Sequence, residues 1–138
     1  MRGGHHIKSW STTQKKITLS SGEAELAACV KTSCECIGIL QMAADWGRTV
    51  EGKVMVDSSA ALGVVSRKGN GRLRHVRVGQ LWIQQMAEDE EVIYRKILGD
   101  DNPADLFTKH LTRIRLDHLL DLISIRDEIG RAKESLEV

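Results

Sequence analysis

Three acidic residues stand at the ends of predicted elements, and these side chains are the best candidates for chemistry. Glu25 lies at the start of a helical pattern, Asp57 follows a short apolar run, and Asp105 begins the last helical pattern. In open α/β sheets, sites form beyond the carboxyl ends of strands, where acids from distant parts of a chain can meet. Clustered carboxylates repel one another unless cations neutralise them, and their hard oxygens suit Mg²⁺ or Mn²⁺. Two such ions about 4 Å apart can support phosphoryl transfer.

Each of these acids also has a purely structural explanation. Asp57 can cap the helix that follows it. Asp105, Glu23 and Glu25 can stabilise helix N-termini through the helix dipole. Residue type and position therefore leave both explanations open.

The elements that must position the acids follow from the hydrophobic pattern of the 138-residue chain. Strand patterns alternate with helical ones in the order β-α-β-α-α-β-α, which favours an α/β domain. Ser21 suits a helix N-cap, Gly47 a helix end, and Asn102–Pro103 a helix start. The predicted segments are extended chain at 5–20, helices at 21–47, 59–67, 78–89 and 103–125, strands at 53–57 and 91–98, and a basic loop at 67–77.

Composition limits the possible partners. Lys and Arg number 20 against 19 acids, so any argument for nucleic-acid binding must be local. No uninterrupted apolar run approaches the ~20 residues of a membrane span, so we expect no membrane partner. Cys29, Cys34 and Cys36 all fall in one predicted helix, where no pair closes a plausible bridge. Reduced thiols are expected, which favours an intracellular location, cytoplasmic or nuclear.

Four segments resemble successive motifs of one family: IKSWSTTQKKITLSSGEAELAA, VMVDSSAAL, RLRHVRVGQLWIQQ and NPADLFTKHL. In order and spacing they resemble the ribonuclease H (RNase H) region at the C-terminal end of Ty1/copia-type retrotransposon polyproteins. The resemblance covers roughly Ile7 to Leu111. It implies an RNase H-like mixed sheet flanked by helices, and cleavage of the RNA strand in an RNA–DNA hybrid with Mg²⁺ or Mn²⁺. The reverse transcriptase region of the same polyprotein is the implied protein partner.

The resemblance also implies roles for the acids. By motif, Glu25, Asp57 and Asp105 are the catalytic metal ligands. Glu23 and Glu25 point to different sides of the helix, and the motif favours Glu25, which leaves Glu23 as a partner of the helix dipole. In the basic loop we expect contacts to the hybrid backbone, although a solvated surface loop is the alternative. The loop residues concerned are Arg67, Lys68, Arg72, Arg74, His75 and Arg77.

One part of the family pattern is absent. The family begins with a strand that carries a further aspartate, followed by a second strand, whereas here no Asp precedes Asp45. We therefore expect an RNase H-like fold that lacks the first two strands, with impaired activity, at residues 1–125. A charged tail follows at residues 126–138. Two alternatives remain: a catalytically inactive relic that binds nucleic acid or nothing, and a capping or assembly module of a larger polyprotein, with a large exposed apolar surface.

Overall fold

The computed structural model describes residues 6–12, 18, 20–69 and 78–126, with residues 78–80 as backbone only. Two compact units are present: a core unit, Thr13–Gly99, and a terminal unit, Met1–Thr12 with Asp100–Val138. The core unit contains helices α1 (Ser21–Asp45), α2 (Ser59–Val65) and α3 (Val78–Glu88) and strands β1 (Lys53–Val56) and β2 (Ile93–Lys96). A 3₁₀ helix, Gly99–Asp101, follows β2; the terminal unit then has a second 3₁₀ helix, Pro103–Phe107, and helix α4, Arg113–Leu122.

Local capping signals fix both ends of α1. Ser20 is the N-cap, and its hydroxyl accepts a hydrogen bond from the Glu23 N–H at 3.3 Å. At the other end Gly47 has φ +66°, a left-handed conformation that glycine adopts without steric cost. This turn lets the Arg48 N–H reach the Ala43 carbonyl at 2.8 Å, as in a Schellman-type end. The predicted helix is confirmed, with its cap one residue earlier than Ser21.

Among the described residues the sheet of the core unit consists of β1 and β2, which pair in parallel from Lys53 opposite Ile93 to Val56 opposite Lys96. Both predicted strands are confirmed, in slightly shorter form. Val54 and Val56 face the core, whereas Lys53 and Met55 are exposed, so β1 alternates as a half-buried strand does. The protein is thus a mixed α/β structure with a small parallel sheet.

The core lies between α1, α2, α3 and the sheet. Leu26 of α1, Ile83 of α3 and Val92 beside β2 are almost completely inaccessible to solvent and belong to one cluster. Ser33, fully buried on α1, donates to the Cys29 carbonyl at 2.8 Å. It also forms a 2.9 Å hydrogen bond with the Tyr94 hydroxyl, in which the tyrosine is then the donor. This bond joins a buried and a half-buried polar group and links α1 to β2.

Two predicted elements differ from the structure. Residues 6–12, 18 and 20 are not in a strand, and residues 5, 13–17 and 19 of the predicted extended segment lie outside the described residues. The predicted helix 103–125 is interrupted between Phe107 and Arg113. Thr112 begins a new helix, α4, because its hydroxyl accepts from the Arg115 N–H and replaces the hydrogen bond that a continuous helix would supply.

Helix α1 is long and apolar enough to cross a membrane by length and composition alone. Among the described residues it is the one helix that meets this test. Core helices share these properties, and α1 contacts β1, α2 and α3. The buried residues of α1 are Glu23, Leu26, Cys29, Ser33 and Ala43, so most of the helix is at least partly exposed.

The three cysteines of α1 are free thiols, as their spacing predicts. Their environments differ. Cys29 is buried, Cys36 is half-buried and Cys34 is exposed. Burial, and secondarily the Glu25 carboxylate, raise the pKa of the Cys29 thiol from 9.0 to about 11, while Ser33 opposes this shift. Burial also raises the pKa of Tyr94 from 10.0 to about 12. Both groups are therefore held in their neutral forms at neutral pH.

Alkaline pH should destabilise the fold through these two groups. A folded-state pKa above the unfolded value contributes stability that is complete below the unfolded pKa and is lost as the pH rises through the folded one. For Cys29 that interval is from pH 9 to about 11. Urea unfolding measured from pH 7 to 11 should show falling stability above pH 9. Cys29→Ala should reduce the loss, and Cys34→Ala, at an exposed thiol, should leave it unchanged; equal curves for all three proteins would contradict the assignment.

Gly52, just before β1, is required by a close approach of α1. A Cβ added there would lie 2.8 Å from Cys36 Sγ and 2.9 Å from Leu40 Cδ1. Gly52→Ala should lower the free energy of unfolding by about 1–3 kcal/mol, the usual cost of overpacking. Gly63→Ala is the matched control, since no atom lies within 4 Å of its added Cβ in α2. It should gain about 0.5–1 kcal/mol from helix propensity. Denaturant titration measures both, and equal effects would contradict the packing at Gly52.

Candidate functional site

Asp57 lies at the carboxyl end of β1, directly before α2. The N-cap of α2 is Ser58, whose hydroxyl accepts from the Ala61 N–H at 3.2 Å. The sequence leaves capping of α2 open as a structural explanation for Asp57. In the structure the neighbouring residue, Ser58, caps this helix instead. Within the described part of the chain the half-buried Asp57 carboxylate has no hydrogen-bond or ion-pair partner. A carboxylate left without partners at a strand end can receive an external cation or donor.

Lys96 brings a positive charge to the same end of the sheet. Its ammonium group donates to the Asp57 backbone carbonyl and, at 2.9 Å, to the Ser59 hydroxyl. Lys96 is the last residue of β2 and lies opposite Val56 in the parallel register. The pairing of the two strands therefore delivers this lysine beside the β1–α2 junction. Lys96 was not a predicted site residue: it lies inside the predicted strand 91–98, and only the observed strand ends at this residue.

The two glutamates of α1 differ in burial. Because α1 begins at Ser21, Glu23 is in its first turn and Glu25 is at the start of its second, one turn later than expected. The Glu23 residue is only 7% exposed, whereas Glu25 is exposed to solvent. Glu23 occupies the position where the helix dipole favours a negative charge. The choice of Glu25 as the acid with a chemical role stays a prediction.

Asp105 belongs to the terminal unit, where local structure places it in the second 3₁₀ helix. The Asn102 side chain caps this helix by accepting from the Ala104 N–H at 3.1 Å, and Pro103 occupies the first turn. Both predicted start signals are therefore confirmed. The Asp105 carbonyl accepts from the Lys109 N–H at 3.1 Å, and this turn brings the two side chains onto one side of the backbone.

The Asp105 carboxylate is buried between two cations. Its side chain is 5% exposed; Oδ1 lies 2.9 Å from Lys109 Nζ, and Oδ2 lies 3.0 Å from both Lys109 Nζ and Arg115 Nη2. Arg115 also pairs with Asp100 through Nη1 at 3.1 Å. Asp101, the next acid, forms a 2.8 Å hydrogen bond with His118 of α4. These contacts hold the second 3₁₀ helix and its preceding loop against α4.

The described residues only partly fit a metal centre. Oxygen ligands from three carboxylates have the chemistry that Mg²⁺ or Mn²⁺ prefers. Over the described ranges, however, no three side chains of the types that bind metals lie close enough to hold one ion. Glu25 and Asp57 are in the core unit and Asp105 is in the terminal unit, where Lys109 and Arg115 already neutralise its charge. The metal-ligand role of the three acids remains a prediction.

The beginning of the basic loop is anchored on α3. Gln84 donates through Nε2 to the carbonyls of Val64 and Gly69 at 2.7 and 3.1 Å, and its Oε1 accepts from the Gly69 N–H at 3.0 Å. Lys68 pairs with Glu88, which raises the pKa of the lysine. Glu88 therefore partly neutralises the positive charge of Lys68. Arg67 is half-buried. The other predicted contacts, Arg72, Arg74, His75 and Arg77, lie outside the described residues.

Comparison with known proteins supports a retroelement origin. The chain is 32% identical over 120 residues to the retrovirus-related Pol polyprotein from transposon TNT 1-94 of Nicotiana tabacum. It is similar to a segment of a retrotransposon polyprotein. The match covers 85% of this chain and 9% of the polyprotein, so the chain spans a small part of that protein's length. No family model matches, and no solved structure matches. The predicted retrotransposon origin is thereby supported, whereas the RNase H assignment rests on the residues themselves.

Arg115 should contribute more to stability than its neighbour Arg113. Arg115→Met removes one partner of a carboxylate that is 5% exposed, and should cost about 1–3 kcal/mol of unfolding free energy. Arg113→Met, the matched control on α4, breaks an exposed i,i+4 pair with Asp117 and should change it by less than about 0.5 kcal/mol. Thermal or urea unfolding of the full chain measures both values. Equal losses would show that the buried contact contributes no more to stability than the exposed pair does.

Proposed function

We propose that this chain is the RNase H region of a copia-type retrotransposon polyprotein and hydrolyses the RNA strand of RNA–DNA hybrids. The observation that carries the proposal is the half-buried Asp57 carboxylate at the carboxyl end of β1, which no described residue pairs with. Similarity to a Pol polyprotein over 85% of the chain supports the same origin. In this proposal the fold is RNase H-like, and β1 and β2 are two neighbouring strands of its sheet.

The roles of the residues follow from their chemistry. Glu25, Asp57 and Asp105 are the proposed ligands of Mg²⁺ or Mn²⁺. When bound, such ions activate water and stabilise the leaving oxygen. Lys96, held at the β1–α2 junction by the Asp57 carbonyl and the Ser59 hydroxyl, adds a positive charge beside the proposed path of the scissile strand. Arg67 and the following basic residues are proposed to contact the hybrid backbone without reading sequence.

A second function is a relic that binds the hybrid without cleaving it. Two observations favour it: the described residues contain no group of three metal-binding side chains, and both oxygens of Asp105 contact cations of the chain itself. Binding through Lys and Arg would persist without a divalent ion and weaken steeply with salt. The partner in this function is still an RNA–DNA hybrid, and the reverse transcriptase region remains the proposed neighbour in the polyprotein.

A cleavage assay separates the two functions. The full chain is incubated with a labelled RNA–DNA hybrid and Mg²⁺, alongside Asp57→Asn and the matched control Asp45→Asn, which changes an exposed acid at the end of α1. The enzyme proposal expects cleavage that EDTA abolishes, that Asp57→Asn lowers about 10²-fold or more, and that Asp45→Asn leaves unchanged. Cleavage that is insensitive to Asp57→Asn would refute the site. Salt-dependent binding with no cleavage by any of the three proteins would establish the relic.

A further inference from the structure

One side chain of α3, Gln84, holds the start of the basic loop through its amide group. Its Oε1 accepts from the Gly69 N–H at 3.0 Å, and its Nε2 donates to the Gly69 carbonyl at 3.1 Å. Nε2 also donates at 2.7 Å to the carbonyl of Val64, in the last turn of α2. A single amide thus joins α3, the end of α2 and the loop, all within the core unit.

The chemistry of these contacts requires an amide side chain. Two carbonyls need a donor and one N–H needs an acceptor, and a primary amide supplies both. Gly69 has φ +77°, a left-handed conformation, so the amide binds the backbone at a turn that glycine adopts without strain. Gly69 is exposed, and without Gln84 its polar groups would bond to water. Gln84 therefore fixes a backbone conformation that solvent alone would not select.

A second contact from α3 holds the same segment. Glu88, one turn after Gln84, pairs with Lys68. Residues 67–69 are thus tied to α3 at two points, at the place where the basic residues of the loop begin. The Lys68 side chain is 84% exposed, and its ammonium group has three donors, so it can contact a phosphate from this position. A loop that is ordered before binding loses less conformational entropy when it binds.

We propose that Gln84 is a positioning residue for nucleic-acid binding, which orders the start of the basic loop so that Lys68 and Arg67 meet the hybrid backbone together. The inference rests on the proposed contact between the basic loop and the hybrid. Gln84 acts through the loop and does not itself touch the nucleic acid. Because the contacts are to phosphates, their number can be measured from the salt dependence of binding.

Binding of the full chain to a labelled RNA–DNA hybrid is measured in EDTA, which prevents cleavage, over a range of salt concentrations. Gln84→Met keeps the length of the side chain and removes the amide. It should weaken binding about 5–10-fold at ~0.1 M salt and reduce the slope of log K against log salt by about one, the loss of one phosphate contact. Gln85→Met is the matched control, since it makes the same change at the exposed neighbour on α3, and should leave both values unchanged. A variant that was merely less folded would bind less hybrid without a change in slope.

A double variant tests whether Gln84 acts through Lys68. Lys68→Met alone should reduce the slope by about one, and should have little further effect in the Gln84→Met background, because the same contact is already lost. Exchange of the Gly69 amide hydrogen should become faster in Gln84→Met and stay unchanged in Gln85→Met. If Gln84→Met reduces the helical circular dichroism, Gln84→Asn, whose amide is one methylene short of Gly69, replaces it under the same criteria.

The outcomes separate this inference from the proposed function. An unchanged slope in Gln84→Met, or effects of the two substitutions that simply add, would overturn the positioning role and leave the nuclease standing. The expected changes in binding, with no cleavage by any variant once Mg²⁺ is added, would refute the nuclease and leave the positioning role intact. A chain that does not bind the hybrid at all would refute both.

Discussion

The parallel pairing of β1 with β2 is the constraint on which the core unit depends. Parallel strands cannot be joined by a tight turn, so the chain between them must cross over, and α2 and α3 supply that crossover. The crossover covers the sheet, and α1 packs against α2, α3 and β1. The hydrogen bond between Ser33 and Tyr94 links α1 to β2. The same register places Asp57 and Lys96 at one end of the sheet. The position of the candidate chemistry is thus a consequence of strand pairing.

The three acids differ in burial and in the charged groups around them. Asp57 is half-buried with no partner among the described residues, Glu25 is exposed, and Asp105 is almost fully buried between Lys109 and Arg115. A buried carboxylate is costly unless it is paired, so the two cations account for the burial of Asp105 without any bound ion. The pairing also stabilises the terminal unit, because it joins the second 3₁₀ helix to α4.

The elements of the core unit were predictable because their signals are local. The serines before α1 and α2, the glycine after α1 and the alternation in β1 determine those elements within a few residues of sequence. The interruption of the last helix was missed because apolar spacing continues across it, although Thr112 before a helical pattern was an available N-cap signal. The spacing of Asp105 and Lys109 also indicated an i,i+4 pair, but the contribution of Arg115 depends on tertiary contacts. The burial of Glu23 rather than Glu25 depends on packing that the motif does not describe.

The parallel pairing of β1 with β2 is tested most directly by the NMR pattern of nuclear Overhauser effects between the two strands in the full chain. We expect contacts in the parallel register, with Val54 opposite Tyr94 and Val56 opposite Lys96. We also expect slow exchange of two amide hydrogens: that of Ile93, which donates to the Gly52 carbonyl, and that of Ile97, which donates to the Val56 carbonyl. Antiparallel contacts, or no contacts between the two segments, would contradict it. In that case Asp57 and Lys96 would have no structural reason to lie at the same end of a sheet.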